Sequence, residues 1–174
     1  EFGFPEVKLG IFPGWGGTAR VPRIVGLGNA VEMITSGESI NADLAYSMGI
    51  CSDVVSADDL LAAAIRMLRD ENETKQYLED RCTWPCRINI SDTELGFLGA
   101  TATAVIQQQT KGQYPAPPAA LETMMEGVGV DVEKACELEA KAMSKLFGSS
   151  VNAALLNIFF LTDRNKKDTG VTSD

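Results

Sequence analysis

Apolar residues recur along this chain at helical spacing more often than at strand spacing, and the polar residues between them supply starts and stops. Leu60, Ala63, Ala64 and Met67 fall on one face of a helix that Ser56 and Asp59 open as a capping box and that runs to about Arg69. Ser91 and Glu94 repeat the box ahead of a long Ala-, Leu- and Val-rich helix over residues 92–110, ended by Gly112. Asp131 caps a helix to about Phe147 in which Ala135, Leu138, Ala142 and Leu146 form the apolar stripe, and Gly148 stops it. Ser150 caps a last helix over 151–166, with Ala154, Leu155, Ile158 and Leu161 expected on its buried side.

Shorter elements fill the remainder. Residues 2–7, interrupted by Pro5, suit the end of a strand or an irregular edge, and 10–17 is a glycine-rich loop. A helix over 18–25 requires Pro22 in its first turn and is closed by Gly26 and Gly28. Asn29 caps a helix over 30–35 ended by Gly37, Asn41 caps another over 42–48 with Gly49 after it, and 50–55 reads as a short strand. Residues 70–90, with Trp84-Pro85 in the middle, read as an irregular connection with at most a turn of helix. Tyr114-Pro-Ala-Pro-Pro118 reads as a rigid extended linker, because successive prolines fix φ and remove donors; a proline-rich partner motif is the alternative. Pro118 then starts a helix to Glu126, stopped by Gly127 and Gly129, and the tail 168–174 is expected to fray.

Composition narrows the chemistry. With 174 residues, 45% hydrophobic and 22% charged, the chain has the makings of a globular core. Its 15 Lys and Arg against 24 Asp and Glu give a net charge of -9, a field that repels phosphate backbones and argues against general nucleic-acid binding. An anionic ligand would need local cations; Lys8, Arg20 and Arg23 beside the glycine loop are candidates, and solvated surface charges are the simpler alternative. No apolar run approaches the ~20 residues of a membrane span, the longest being broken by Asn152 and Asn157, and cytoplasm is the expected location. Cys82 and Cys86 form a C-x3-C pair, but with no histidine and no second pair no metal site is expected, and all four cysteines read as reduced thiols. The lack of histidine also removes Ser-His-Asp and Cys-His catalysis, so acid-base chemistry falls to carboxylates.

One stretch concentrates that chemistry. Residues 2–23 read FGFPEVKLGIFPGWGGTARVPR, placing Glu6 ahead of Gly14, Gly16 and Gly17. The residues alone leave alternatives open: Glu6 as a surface carboxylate, the glycines as positive-φ turn residues, Trp15 as core. Gly14-x-Gly16-x-x-Ala19 satisfies a dinucleotide fingerprint, but Pro13 rather than a strand precedes it, and Glu32 and Glu38 belong to a helix and a turn.

The order Phe-Gly-x-Pro-Glu-Val-Lys-Leu-Gly, Pro-Gly-x-Gly-Gly-Thr, Arg-x-Pro-Arg resembles the second half of the crotonase (enoyl-CoA hydratase/isomerase) active-site region. Ser36-Gly37, Ala42-Asp-x-Ala45 and Gly49-Ile50 leading to Val54-Val55 continue the resemblance. Tyr114-Pro-Ala-Pro and the closing Ile158-Phe-Phe-Leu-Thr-Asp-Arg-Asn are similar to the multifunctional fatty-acid oxidation branch. The resemblance implies an α/β class: the C-terminal part of a ββα superhelix, mainly helical here with few short strands. It implies a crotonase core over 1–69, a connection and covering helix over 70–113, and a helical linker over 114–174 towards a 3-hydroxyacyl-CoA dehydrogenase domain.

The same resemblance makes Glu6 one of two carboxylates that add water to trans-2-enoyl-CoA, with Gly14, Trp15, Gly16 and Gly17 beside the acyl-thioester. The other carboxylate and the oxyanion amides are expected upstream, so the chain alone is not expected to turn over. No metal or redox cofactor is implied here, NAD belonging to the downstream domain. The implied partners are an enoyl-CoA thioester and an oligomer or thiolase-subunit complex. Double-bond isomerisation and a non-catalytic assembly or linker module are the alternatives.

Overall fold

A computed structural model describes residues 1–168 and 170. It is mainly helical, and the one sheet among the described residues is a two-residue antiparallel pair, β1 (Phe2–Gly3) with β2 (Ser39–Ile40), in which Phe2 faces Ile40 and Gly3 faces Ser39. The helices are α1 (Gly17–Val25), α2 (Leu27–Ser36), α3 (Ala42–Ser47), α4 (Leu60–Thr74), α5 (Gln76–Thr83), α6 (Asp92–Thr110), α7 (Ala116–Gly127), α8 (Val132–Leu146) and α9 (Ser150–Lys167). A 3-10 turn, Pro5–Leu9, lies between β1 and the glycine loop.

Several helix ends follow chemistry that is local in sequence. Asn41, Ser91 and Asp131 accept from the amides of Leu44, Glu94 and Lys134 and so start α3, α6 and α8 where expected. Gly37, in the left-handed region at φ 67°, stops α2 with its N–H on Met33 O. The last helix is capped by Ser149 rather than Ser150, one residue earlier than the sequence suggested.

The core lies where α1, α2, α7 and α8 meet, with α6 across α2 and α7. Val7, Phe12, Val25, Ile34, Leu121 and Met124 are among the side chains that fill it. Residues from before the glycine loop thus share one apolar cluster with residues more than a hundred positions later, and burying them together is the main source of stability.

Several expectations are corrected. Pro22 sits inside α1, not in its first turn, because the helix begins at Gly17. Helix α2 begins at Leu27, not residue 30: Leu27 is buried, Gly28 is helical, and Asn29 turns its Nδ2 back to Val25 O instead of capping its own helix. Residues 50–55 form no strand, since no described strand edge is there to pair with; Ile50 N closes the end of α3 on Ala45 O, and Val54 and Val55 are exposed. The connection over 70–90 is largely helical, α4 running on to Thr74 and α5 following once Lys75 takes a left-handed φ of 60°.

The prolines of 115–118 do not make an extended linker. Pro115 precedes α7 and Pro117 and Pro118 lie in its first turn, where a missing N–H leaves no bond unmade. The side of α9 expected to be buried is largely uncovered, Ile158 and Leu161 being exposed, and of the apolar stripe on α4 only Ala63 is buried. The fraying expected over 168–174 falls, apart from residues 168 and 170, outside the described residues.

Candidate functional site

Glu6 stands on the 3-10 turn, whose start is fixed by Pro5 at its first position and whose end is Gly10 in the left-handed region at φ 77°. Gly10 N–H donates to Val7 O at 3.0 Å and Ile11 N–H to Glu6 O at 3.3 Å, so the backbone around the carboxylate is pinned within its own segment. The side chain is half-buried. Its Oε2 is fully buried and hydrogen-bonds to no described protein group. An acceptor held away from bulk water without a protein donor has capacity for a proton or for an incoming hydroxyl or water.

The glycine loop that follows is held from the other end of the chain. Glu139 on α8, 1% exposed, takes the Gly16 N–H on Oε1 at 2.6 Å, and on Oε2 the Thr18 N–H at 2.8 Å and the Thr18 hydroxyl at 2.6 Å. A carboxylate at a helix start satisfies amides that have no partner within the helix and meets the positive end of the helix dipole. This clamp explains why α1 begins at Gly17. Gly16 requires its lack of a side chain, with φ 87° and the Arg20 guanidinium where a Cβ would stand. A Cβ on Gly14 would meet Met143 of α8, and one on Gly17 would meet Pro13.

The loop therefore packs against α8, and its Gly16 amide is engaged by Glu139. Trp15 is 98% exposed, which overturns the alternative that it is core. The structure brings Glu6 and the glycine loop into one segment, leaving Trp15 at its periphery.

The 3-10 turn is held in the same manner. Asn152 of α9, 2% exposed, donates from Nδ2 to Leu9 O at 2.7 Å and accepts the Gly148 N–H on Oδ1 at 3.0 Å. Sequence reasoning missed both holding residues. Glu139 carried a readable signal, because 135, 139, 142 and 146 trace an inward stripe as well as 135, 138, 142 and 146 do, and a carboxylate on that stripe needs buried donors.

The three candidate cations are engaged too. Lys8 pairs with Glu38 at 2.9 Å on the surface, and Arg20 donates to Trp15 O at 2.6 Å. Arg23 binds the carbonyls of Ala19, Cys86, Gly127 and Val130, tying α1 to the segment after α5 and to the α7–α8 turn. Burial lowers the Arg23 pKa from its ordinary value, while Cys136, Asp131 and Cys86 act in the opposite direction. With Arg81 and Trp84, Arg20 and Arg23 line a largely apolar pocket of about 240 Å³.

Residues 1–78, the stretch that holds Glu6 and the glycine loop, match the family model for enoyl-CoA hydratase/isomerase. Relatives extend the likeness over nearly the whole chain. The fatty acid oxidation complex subunit alpha of Vibrio cholerae is 36% identical over 173 residues, covering 98% of this chain and 24% of that protein. The subunit of the same name from Shewanella amazonensis is 34% identical over 170 residues, covering 97% of this chain and 24% of its own length. The chain thus spans about a quarter of the length of these curated relatives. The helices α6 to α9, which pack against the matched segment, lie beyond the matched residues and within the span shared with the relatives.

Proposed function

We propose that this chain is part of an enoyl-CoA hydratase of fatty-acid β-oxidation, adding water across the double bond of a trans-2-enoyl-CoA thioester. The observation that carries the reading is Glu6: a carboxylate in the family-matched segment whose buried Oε2 has no described protein partner. Hydration needs one group to take a proton from the attacking water and one to deliver a proton to the α carbon. Two carboxylates on one face divide that work while backbone amides stabilise the thioester enolate. Glu6 is one of the two; the second and the enolate-binding amides come from residues outside this chain. The step calls for no metal or redox cofactor, and NAD serves a dehydrogenase domain that is likewise outside it. We place the protein in the cytoplasm; no single described helix is long and apolar enough to cross a membrane.

The test is enoyl-CoA hydration by the full-length protein that carries this chain, against the same protein with Glu6→Gln. A loss of about 10² to 10⁴ in rate with substrate binding retained is expected. An unchanged rate overturns the reading.

A second role is favoured by an uncovered apolar turn of α9. Ile158, Phe159, Phe160 and Leu161 are all at least half exposed, apolar surface that suits association with another copy or another subunit. Sedimentation of the full-length protein as a monomer at every concentration would remove it.

A further inference from the structure

Two buried polar side chains from the C-terminal helices grip the segment that carries Glu6, one on each side of the glycine loop's start. Asn152 holds Leu9 O, the last carbonyl of the 3-10 turn on which Glu6 stands. Glu139 holds Gly16 N, Thr18 N and Thr18 Oγ1. Between these grips the backbone of Gly10 lies so close to α9 that an added Cβ would stand 3.1 Å from Asn152 Cα and 3.2 Å from Leu155 Cδ1. Both residues are at least 98% buried, on helices otherwise rich in exposed positions. A buried amide and a buried carboxylate are stable only where every polar atom finds a partner, so each side chain dictates where the segment opposite it must lie. A five-residue 3-10 turn has few bonds of its own and is a weak support for a carboxylate.

We propose that Asn152 and Glu139 are positioning residues for Glu6: α8 and α9 are part of the hydratase site, fixing the carboxylate's carrier segment from outside the family-matched residues. The proposal rests on the reading of Glu6 given above. Displacing a reacting group by about 1 Å from afar can cost on the order of 10²-fold in rate. Neither residue touches substrate; both act through the backbone to which Glu6 is attached.

The experiment uses the full-length protein and a trans-2-enoyl-CoA, with kcat and KM measured for Asn152→Asp, Glu139→Gln, Glu6→Gln and the two double variants with Glu6→Gln. Asn152→Asp keeps the acceptor for Gly148 and sets an oxygen against Leu9 O. Glu139→Gln keeps one acceptor and sets an amide N–H against a loop donor. Each single variant is expected to lower kcat about 10- to 100-fold with KM changed less than about 3-fold, since the site still binds the thioester but holds its base poorly. In the Glu6→Gln background neither is expected to lower the residual rate further, because the group being positioned is gone.

A loss that repeats in full in that background marks a general loss of folded protein and overturns the proposal, as does an unchanged kcat in both single variants. Should one variant not fold, by circular dichroism, Thr18→Val replaces it, removing a single hydroxyl contact to Glu139, and is judged by the same split. If Glu6→Gln itself leaves the rate unchanged, the hydratase reading of Glu6 falls and the positioning proposal with it. A large Glu6→Gln loss beside unchanged Asn152→Asp and Glu139→Gln overturns the positioning alone.

Discussion

Gly16, Arg23 and Glu139 show how a few residues decide the shape of the candidate site. Glu139→Ala leaves two buried amides and a hydroxyl without their acceptor, and about 2–4 kcal/mol of stability is expected to go with it, measured by urea denaturation. Arg23→Lys keeps the charge but not the fork that reaches four carbonyls on three parts of the chain, and a loss of about 1–3 kcal/mol is expected in the same assay. Gly16→Ala puts a side chain on a left-handed backbone at φ 87°, for an expected loss of about 1–3 kcal/mol, while the Arg20 guanidinium swings aside. The sequence made Glu6 and the three glycines visible because their order carries a family likeness. Glu139 and Asn152 escaped because their partners lie 121 to 143 positions away, and no local pattern records a pairing at that distance.

Among the elements, legibility follows whether the deciding interaction is local. The caps at Asn41, Ser91 and Asp131 could be read directly, since a side chain and an amide three residues on make the whole contact. The strand expected over 50–55 failed because a strand is decided by a neighbouring edge, which the sequence of those residues does not contain. The prolines before α7 were read for what they forbid in a helix interior, when their position in the first turn forbids nothing. Exposed Pro118 acts mainly by limiting the unfolded chain, so Pro118→Ala is expected to lower stability by about 0.4–1 kcal/mol without changing helix content by circular dichroism. On α9, Phe159 and Phe160 meet edge to face at 5.5 Å while both remain exposed. Phe160→Glu is expected to shift stability by less than about 0.5 kcal/mol and to weaken any self-association seen by sedimentation.

For the molecule as a whole, burial is uneven. The α1, α2, α7 and α8 core is shared between the first and last thirds of the chain, whereas α4 has one buried side chain and α5 none. Opening of α4 and α5 exposes little apolar surface and leaves the core intact. Brief trypsin digestion is therefore expected to cut at Arg66, Arg69, Lys75 or Arg81 well before Arg20 or Arg23, with the two products remaining together on a sizing column; early cuts at Arg23 would contradict this division. The bond between Gly16 and Glu139 closes a loop of 123 residues, and that separation has a consequence in time. On a ribosome adding ~5–20 residues per second, the glycine loop emerges on the order of ten seconds before the residue that will hold it. For that interval the segment bearing Glu6 is a nascent strand of unprotected backbone, and a chaperone that shelters it until α8 is made would be guarding the site before it exists.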